Sequence, residues 1–195
     1  MSVKLSTGVL ATMLMCTGAV RAADRIVPPA VPADLELSSV YKVFLAGHAV
    51  GTQNFICAPA AVPSGADWLF IGPQATVYDA SGEQILTHFL SRNPLQPDVL
   101  HATWQHSRDT SAVWAKRLRG STDSNYVAPD AIEWLLLEMT ATGTGPTGGV
   151  KMANTVYVQR VNTVGGVKPP ASECTLGTLN TRKLVPYEAD YYFYK

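Results

Sequence analysis

Ile132-Glu133-Trp134-Leu135-Leu136-Leu137-Glu138-Met139-Thr140, returning as Thr155-Val156-Tyr157-Val158-Gln159-Arg160-Val161-Asn162-Thr163, is the pair of segments on which the fold turns. Side chains alternate faces along a strand, so Trp134 and Leu136 point one way while Leu135, Leu137 and Met139 point the other. A strand apolar on both faces is buried on both, which places this one inside a sheet. A helix is the rival reading, since Leu, Met and Glu favour helices. Pro129 before the run, the Thr142–Gly149 turn-forming stretch after it and the β-branched return arm decide for a hairpin.

The return arm changes character at Gln159. Val156, Tyr157 and Val158 are apolar, whereas Gln159, Arg160 and Asn162 put polar groups on both faces. A guanidinium is rarely buried without a partner. This end of the hairpin therefore either anchors a structural polar network around Gly165-Gly166 or forms a rim site for an anionic or hydroxylated ligand.

Working outward, turn signals separate further short strands. Tyr41–Cys57 is strand-like with Gly47 and Gly51 as bends, Trp68–Ile71 closes at Gly72-Pro73, and Ala75–Tyr78 pairs with Glu83–Phe89 across a turn in which Gly82 takes a positive φ. Leu90–Leu100, with Pro94 and Pro97, reads as a long loop. His101–His106, Ala112–Leu118 and an aromatic C-terminal strand over 185–194 follow. The spacing predicts an all-β fold, a single-domain antiparallel β-sandwich or barrel of about nine or ten strands over 41–195, preceded by an extended proline-bearing segment over 23–40.

Lys4, the apolar Leu5–Val20 run and Val20-Arg21-Ala22 have the pattern of a secretory signal peptide over 1–22, too short for a membrane span. Cys16 belongs to this leader, because Leu14 and Met15 stand where lipoprotein processing wants small residues. The expected product is exported, periplasmic or secreted. Its 173 residues carry 13 basic and 15 acidic side chains, a net charge of −2. With no Lys/Arg run, this excludes the electrostatic footprint of a nucleic-acid binder. Cys57 and Cys174 then remain, and an oxidising compartment predicts that they form one disulfide; a metal–thiolate pair would want closer spacing.

Gly143-Thr144-Gly145-Pro146-Thr147-Gly148 matches G-x-G-x-x-G, but a strand follows where a dinucleotide site needs a helix, so it reads as a flexible hairpin loop. There is no G-x-S-x-G, H-E-x-x-H or P-loop, and no cofactor is expected. The titratable candidates are His48, His88, His101 and His106, of which His88, His101 and His106 are the candidate metal ligands. His88 ends a hairpin arm where Trp104 and Gln105 can return, and aromatic and polar groups together make carbohydrate and small-ligand sites. Trp104 and Trp114 are equally readable as core anchors.

Gly51-x-Gln53-x-Phe55-x-Cys57, Gly72-Pro73-x-Ala75, Thr87-His88-Phe89, Thr103-Trp104, Ala131-Ile132-x-Trp134-Leu135-Leu136-Leu137, Gln159-Arg160-Val161-Asn162-Thr163-x-Gly165-Gly166 and Cys174 together resemble an exported bacterial and fungal family catalogued as domain of unknown function 3455. The resemblance spans nearly all of the mature chain and implies no assigned reaction. The malate dehydrogenase label on some fungal relatives does not transfer to a chain without a nucleotide fold. The family pattern has an acid after Trp104 and an Asp-Gly-Ser turn, where this chain has Gln105 and Asp109-Thr110-Ser111; a catalytic carboxylate there would be missing.

Binding is thus expected ahead of catalysis, with a glycan, a cell-envelope component or a small molecule as ligand and His88, Trp104, Gln105, Arg160 and Asn162 as candidate contacts. The alternatives are an enzyme centred on His88 with a second histidine and Asp109 within reach, and a structural envelope protein.

Overall fold

The computed structural model describes residues 25–195; the leader over 1–22, its cleavage point and Cys16 lie outside the described residues. Eight strands follow one another around a closed barrel: β1 (Val43–Pro59), β2 (Ala66–Tyr78), β3 (Gln84–Asn93), β4 (Gln96–His106), β5 (Ala112–Ser121), β6 (Trp134–Gly143), β7 (Tyr157–Gly165) and β8 (Arg182–Tyr194). Each pairs antiparallel with its sequence neighbours, and β1 pairs with β8 from Val43↔Tyr194 to Ile56↔Arg182. Closure removes both sheet edges, which is why every strand can be apolar inward without leaving an unpaired ladder.

The expectation of nine or ten strands and of a possible sandwich is corrected to eight strands in a barrel. Segments divided at glycines are single strands. β1 runs through Gly51 because that position has no room for a side chain: a Cβ there would lie 2.2 Å from the Gln74 carbonyl oxygen and 2.5 Å from the Ala75 Cα. β2 likewise runs through Gly72, whose φ of +123° fits the irregularity opposite Asn54 and Phe55. Leu90–Leu100 is not a loop either. β3 and β4 continue as a hairpin with Asn93↔Gln96 paired at its tip, Pro94 lies in the two-residue connection, and the Pro97 carbonyl accepts from Arg92 Nη1.

The hairpin of β6 and β7 lies between β5 and β8, with Leu135↔Arg160 and Leu137↔Val158 in register. Its inward residues Leu135, Leu137 and Val158 join Ala49, Val77, Leu86, Trp104, Val113, Tyr191 and Phe193 in the barrel core. Small and aromatic residues interleave there, as a narrow barrel requires. Trp104 meets Tyr191 and Phe193 edge-on, at ring-centroid distances of 5.3 and 5.9 Å.

The outward face of the hairpin is covered by the N-terminal segment, which is extended except for one 3₁₀ turn (Ala33–Leu35). Leu35 is fully buried against Trp134, Leu136 and Val161. Gln159 turns outward to donate from Nε2 to the Leu35 carbonyl at 2.8 Å, and its Oε1 accepts from the Tyr194 hydroxyl. Leu35→Ala is expected to lower unfolding free energy by about 2 kcal/mol, read by urea denaturation. A loss below about 0.5 kcal/mol would mean that this strap adds no packing.

Cys57 and Cys174 are joined in a disulfide with 5.4 Å between Cα atoms. It ties the 166–181 connection to the β1–β2 end of the barrel, amid Phe55, Ala66 and Trp68. Among the described residues no helix is long and apolar enough to cross a membrane.

The barrel's two ends differ. At one, the 144–156 connection folds inward: Met152 is fully buried in the core, its amide donating to Ser111 Oγ at 3.1 Å. The G-x-G-x-x-G stretch lies in this connection with no helix behind it, and it is pinned rather than loose. Asp109 Oδ2 accepts from the amides of Val150 and Lys151 at 3.0 and 2.7 Å. A side chain at Gly149 would put its Cβ 1.7 Å from the Asp109 carbonyl oxygen, so glycine here serves close backbone approach. The other end, carrying the β1–β2, β3–β4, β5–β6 and β7–β8 connections, is open.

A cavity at the open end of the barrel

A cavity of about 310 Å³ enters the barrel at the open end. His88, Trp104, Gln53, Arg160, Tyr191 and Leu135 line its inner part, and Phe70, Leu90, Leu100, Lys116 and Arg117 its mouth. The inner residues are deeply placed, with Trp104 and Tyr191 1% exposed and His88 and Gln53 4%, whereas Phe70 and Leu100 are exposed at the rim. Among the described residues no Asp, Glu, Ser, Thr or Cys lines it.

His88 and Trp104 are cross-strand partners on β3 and β4, stacked at 4.2 Å between ring centroids with 7° between planes. His88 Nδ1 lies 2.9 Å from the Thr103 carbonyl oxygen, which can only accept, so the proton is on Nδ1 and Nε2 carries the lone pair. Burial pulls this imidazole down to about 3, against the bond to Thr103 and with the help of the Arg160 charge. It is therefore neutral at neutral pH. Tyr191 stands edge-on to it at 5.2 Å, with its hydroxyl pushed upward by burial and held as a neutral phenol.

Arg160 reaches inward from β7 and donates from Nη2 to the Glu133 carbonyl at 2.9 Å. Among the described residues it forms no ion pair. The other two lining cations are matched, Lys116 with Glu138 at 3.0 Å and Arg117 with Glu133 at 2.9 Å. Four buried side-chain polar atoms among the described residues lack a hydrogen-bond partner: Gln53 Nε2, Trp104 Nε1, Arg160 Nε and Trp134 Nε1. The first three are all donors on residues lining the cavity; Trp134 lies in the outer cluster under the N-terminal strap. Unpartnered buried donors are uncommon because each forfeits its hydration.

Of the residues singled out in the sequence, His88, Trp104 and Arg160 come together here; Gln105 and Asn162 do not. Gln105 donates from Nε2 to the Thr110 carbonyl at the closed end. Asn162 sits at φ +50° in the irregularity of β7 and donates from Nδ2 to Asp190 at 2.8 Å.

The histidine centre does not assemble. His101 lines the cavity, but its Nδ1 is engaged by Thr140 Oγ1 at 2.6 Å and Asn93 Nδ2 at 3.0 Å. His106 lies near the closed end, its Nδ1 accepting from the amides of Arg108 and Asp109. Burial lowers both, for His101 with the help of Lys116 and for His106 against the nearby Asp109. His48 pairs with Asp190 at 2.8 Å. Among the described residues no three His, Cys, Asp or Glu side chains group to hold a metal.

Asp109 is committed to its turn. Burial raises its carboxyl, but bonds from the Ser111 hydroxyl and from the Lys151 and Ser111 amides outweigh this and hold it at about 2. Gln53, quoted only within a family motif, and Tyr191 were not read as site residues in the sequence. The one signal was parity: Gln53 shares a strand face with Gly51 and Ala49, and Tyr191 with Tyr187 and Phe193.

No curated protein and no solved structure matches the chain. A family model described as Protein of unknown function (DUF3455) matches residues 38–195, which span the whole barrel, and the chain belongs to that family.

Proposed function

We propose that this protein is an exported binding protein that holds a small molecule in the open end of its barrel, with a hydrogen-bond-accepting group placed among Gln53, Trp104 and Arg160. The observation that carries this reading is the set of three buried, unpartnered donors on the walls of one cavity. A ligand acceptor that reaches into this wall would relieve the lost hydration of these side chains, and the cavity is of the size that small-molecule sites have.

Among the ligand classes expected from the sequence, a small molecule is favoured over a glycan because Phe70, Leu90 and Leu100 give the mouth an apolar side. Binding is favoured over catalysis because no carboxylate or hydroxyl nucleophile faces His88, and Asp109 is occupied at the other end of the molecule. The leader sequence and the disulfide support export to the periplasm or beyond the cell.

The test is native mass spectrometry of the protein purified from its own exported compartment. One organic adduct per chain is expected, lost on denaturation and absent from Ala102→Trp, whose indole would fill the mouth. Bare-chain masses for both proteins would remove the proposal.

A further inference from the structure

Resting on that reading, we infer that the ligand is a single-chain amphiphile with a carboxylate head, held head-inward against Arg160, Gln53 and Trp104, its alkyl chain leaving between Phe70, Leu90 and Leu100.

The charge of the head follows from the ion pairs. Lys116 and Arg117 are each matched by a glutamate, while among the described residues Arg160 has no carboxylate partner, only the Glu133 carbonyl and the Tyr191 hydroxyl beside it. A guanidinium sunk into a barrel without a counter-ion is costly, and an anion relieves that cost. With one unmatched cation and no lining acid, the inner cavity balances a single negative charge. His88 adds none, since burial keeps its ring neutral.

The shape follows from the donors. Arg160 Nε, Gln53 Nε2 and Trp104 Nε1 are three unpartnered donors on residues that line one cavity, and a carboxylate has about four lone-pair sites on two oxygens to receive such donors. A phosphate monoester would bring close to two charges to a site that balances one.

The chain follows from one side of the mouth, where exposed Phe70 and Leu100 stand with Leu90; the other exposed lining residues, Lys116 and Arg117, are paired with Glu138 and Glu133. The 310 Å³ cavity lies at the small end of small-molecule sites, so a short acid such as octanoate fits the inner part and longer acids extend out of the open end.

The experiment is calorimetric titration of the delipidated full-length mature protein at pH 7 with octanoate, octanol, octylammonium and octyl phosphate. Octanoate is expected to bind at one site per chain, at least ~10-fold tighter than octanol, as a charge-assisted hydrogen bond implies. Octylammonium should not bind, and octyl phosphate should bind more weakly than octanoate. In Arg160→Met the preference for octanoate over octanol should vanish while octanol still binds, which also shows that the variant is folded.

Octanol binding as tightly as octanoate would overturn the head assignment and leave the cavity reading intact. Tighter octyl phosphate would overturn it in favour of a dianion. No binding by any probe, from a protein that still carries a native adduct, would overturn the amphiphile and keep the cavity.

Discussion

Removing the disulfide by the paired changes Cys57→Ala and Cys174→Ala is expected to lower the unfolding free energy by about 4 to 5 kcal/mol. The two cysteines are 117 residues apart, so the bond closes most of the barrel sequence into one loop and sharply limits the unfolded chain. Loop-closure entropy for a ring of that length comes to about 5 kcal/mol, a large part of the 5 to 15 kcal/mol typical of whole domains. The native fold should survive the change, because β1 and β8 remain paired as far as Ile56↔Arg182 next to the bond. The backbone bonds Asn180 N to Cys57 O and Cys57 N to Thr181 O, both 2.9 Å, also hold the connection in place.

Guanidinium unfolding of both proteins measures the effect, and the variant should also show a larger denaturant slope because its unfolded chain is more expanded. A loss under about 1 kcal/mol with an unchanged slope would mean that the unfolded chain is already compact and that the bond only fastens the 166–181 connection. That segment packs as a small cluster of its own: Trp68 donates from Nε1 to the Pro170 carbonyl at 3.1 Å, and both sulfurs are fully buried. In an oxidising compartment the bond persists and keeps this contribution.

How far the sequence led depends on which physical signal each residue carried. The β6–β7 hairpin was legible because it is apolar on two faces for two separate reasons, the barrel core on one side and the Leu35 strap on the other. The number of strands was not. Gly51 and Gly72 looked like breaks, whereas glycine at 51 exists to let β1 and β2 approach and glycine at 72 to supply a positive φ within a continuous strand. Pro94 and Pro97 hid the β3–β4 hairpin in the same way. Closure of the sheet into a barrel depends on β1 meeting β8, a contact between the two ends of the domain that no local pattern reports.

The site divided along similar lines. His88 and Trp104 sit on adjacent arms, so proximity in sequence anticipated their stacking. Arg160 stood out as a cation on a strand apolar around it, and its inward direction explains why. Gln159, one residue earlier, faces outward to the strap, so the two polar residues serve different surfaces. Gln53 and Tyr191 carried only strand parity, and which face of β1 and β8 lines the barrel is set by their pairing with each other and with β2 and β7. Parity counted along one strand does not say which of its two faces points inward.

Acid should destabilise this protein through His88 well above the pH at which carboxylates titrate. In the unfolded chain this imidazole takes a proton near 6.5, whereas burial in the barrel delays that to about 3. The folded pKa is depressed, so stability from this group is complete above 6.5 and is lost as pH falls toward 3. From pH 7 to pH 4 the loss from His88 alone comes to about 3 kcal/mol. His101 and His106 are lowered by burial as well and add in the same direction.

His88→Asn isolates the contribution, because an amide nitrogen can still donate to the Thr103 carbonyl but does not titrate. Urea unfolding of both proteins at pH 7 and pH 4 gives the comparison. The variant is less stable at pH 7, having lost the stack on Trp104, yet its stability should fall with acid by about 3 kcal/mol less than that of the natural protein. Equal falls would mean that the folded ring takes its proton at the ordinary imidazole value of 6.5, so that burial does not keep it neutral in acid. A charged ring there would place a second cation close to Arg160 and give the inner cavity two charges to balance. The same measurement therefore fixes the charge that any ligand of the barrel has to meet.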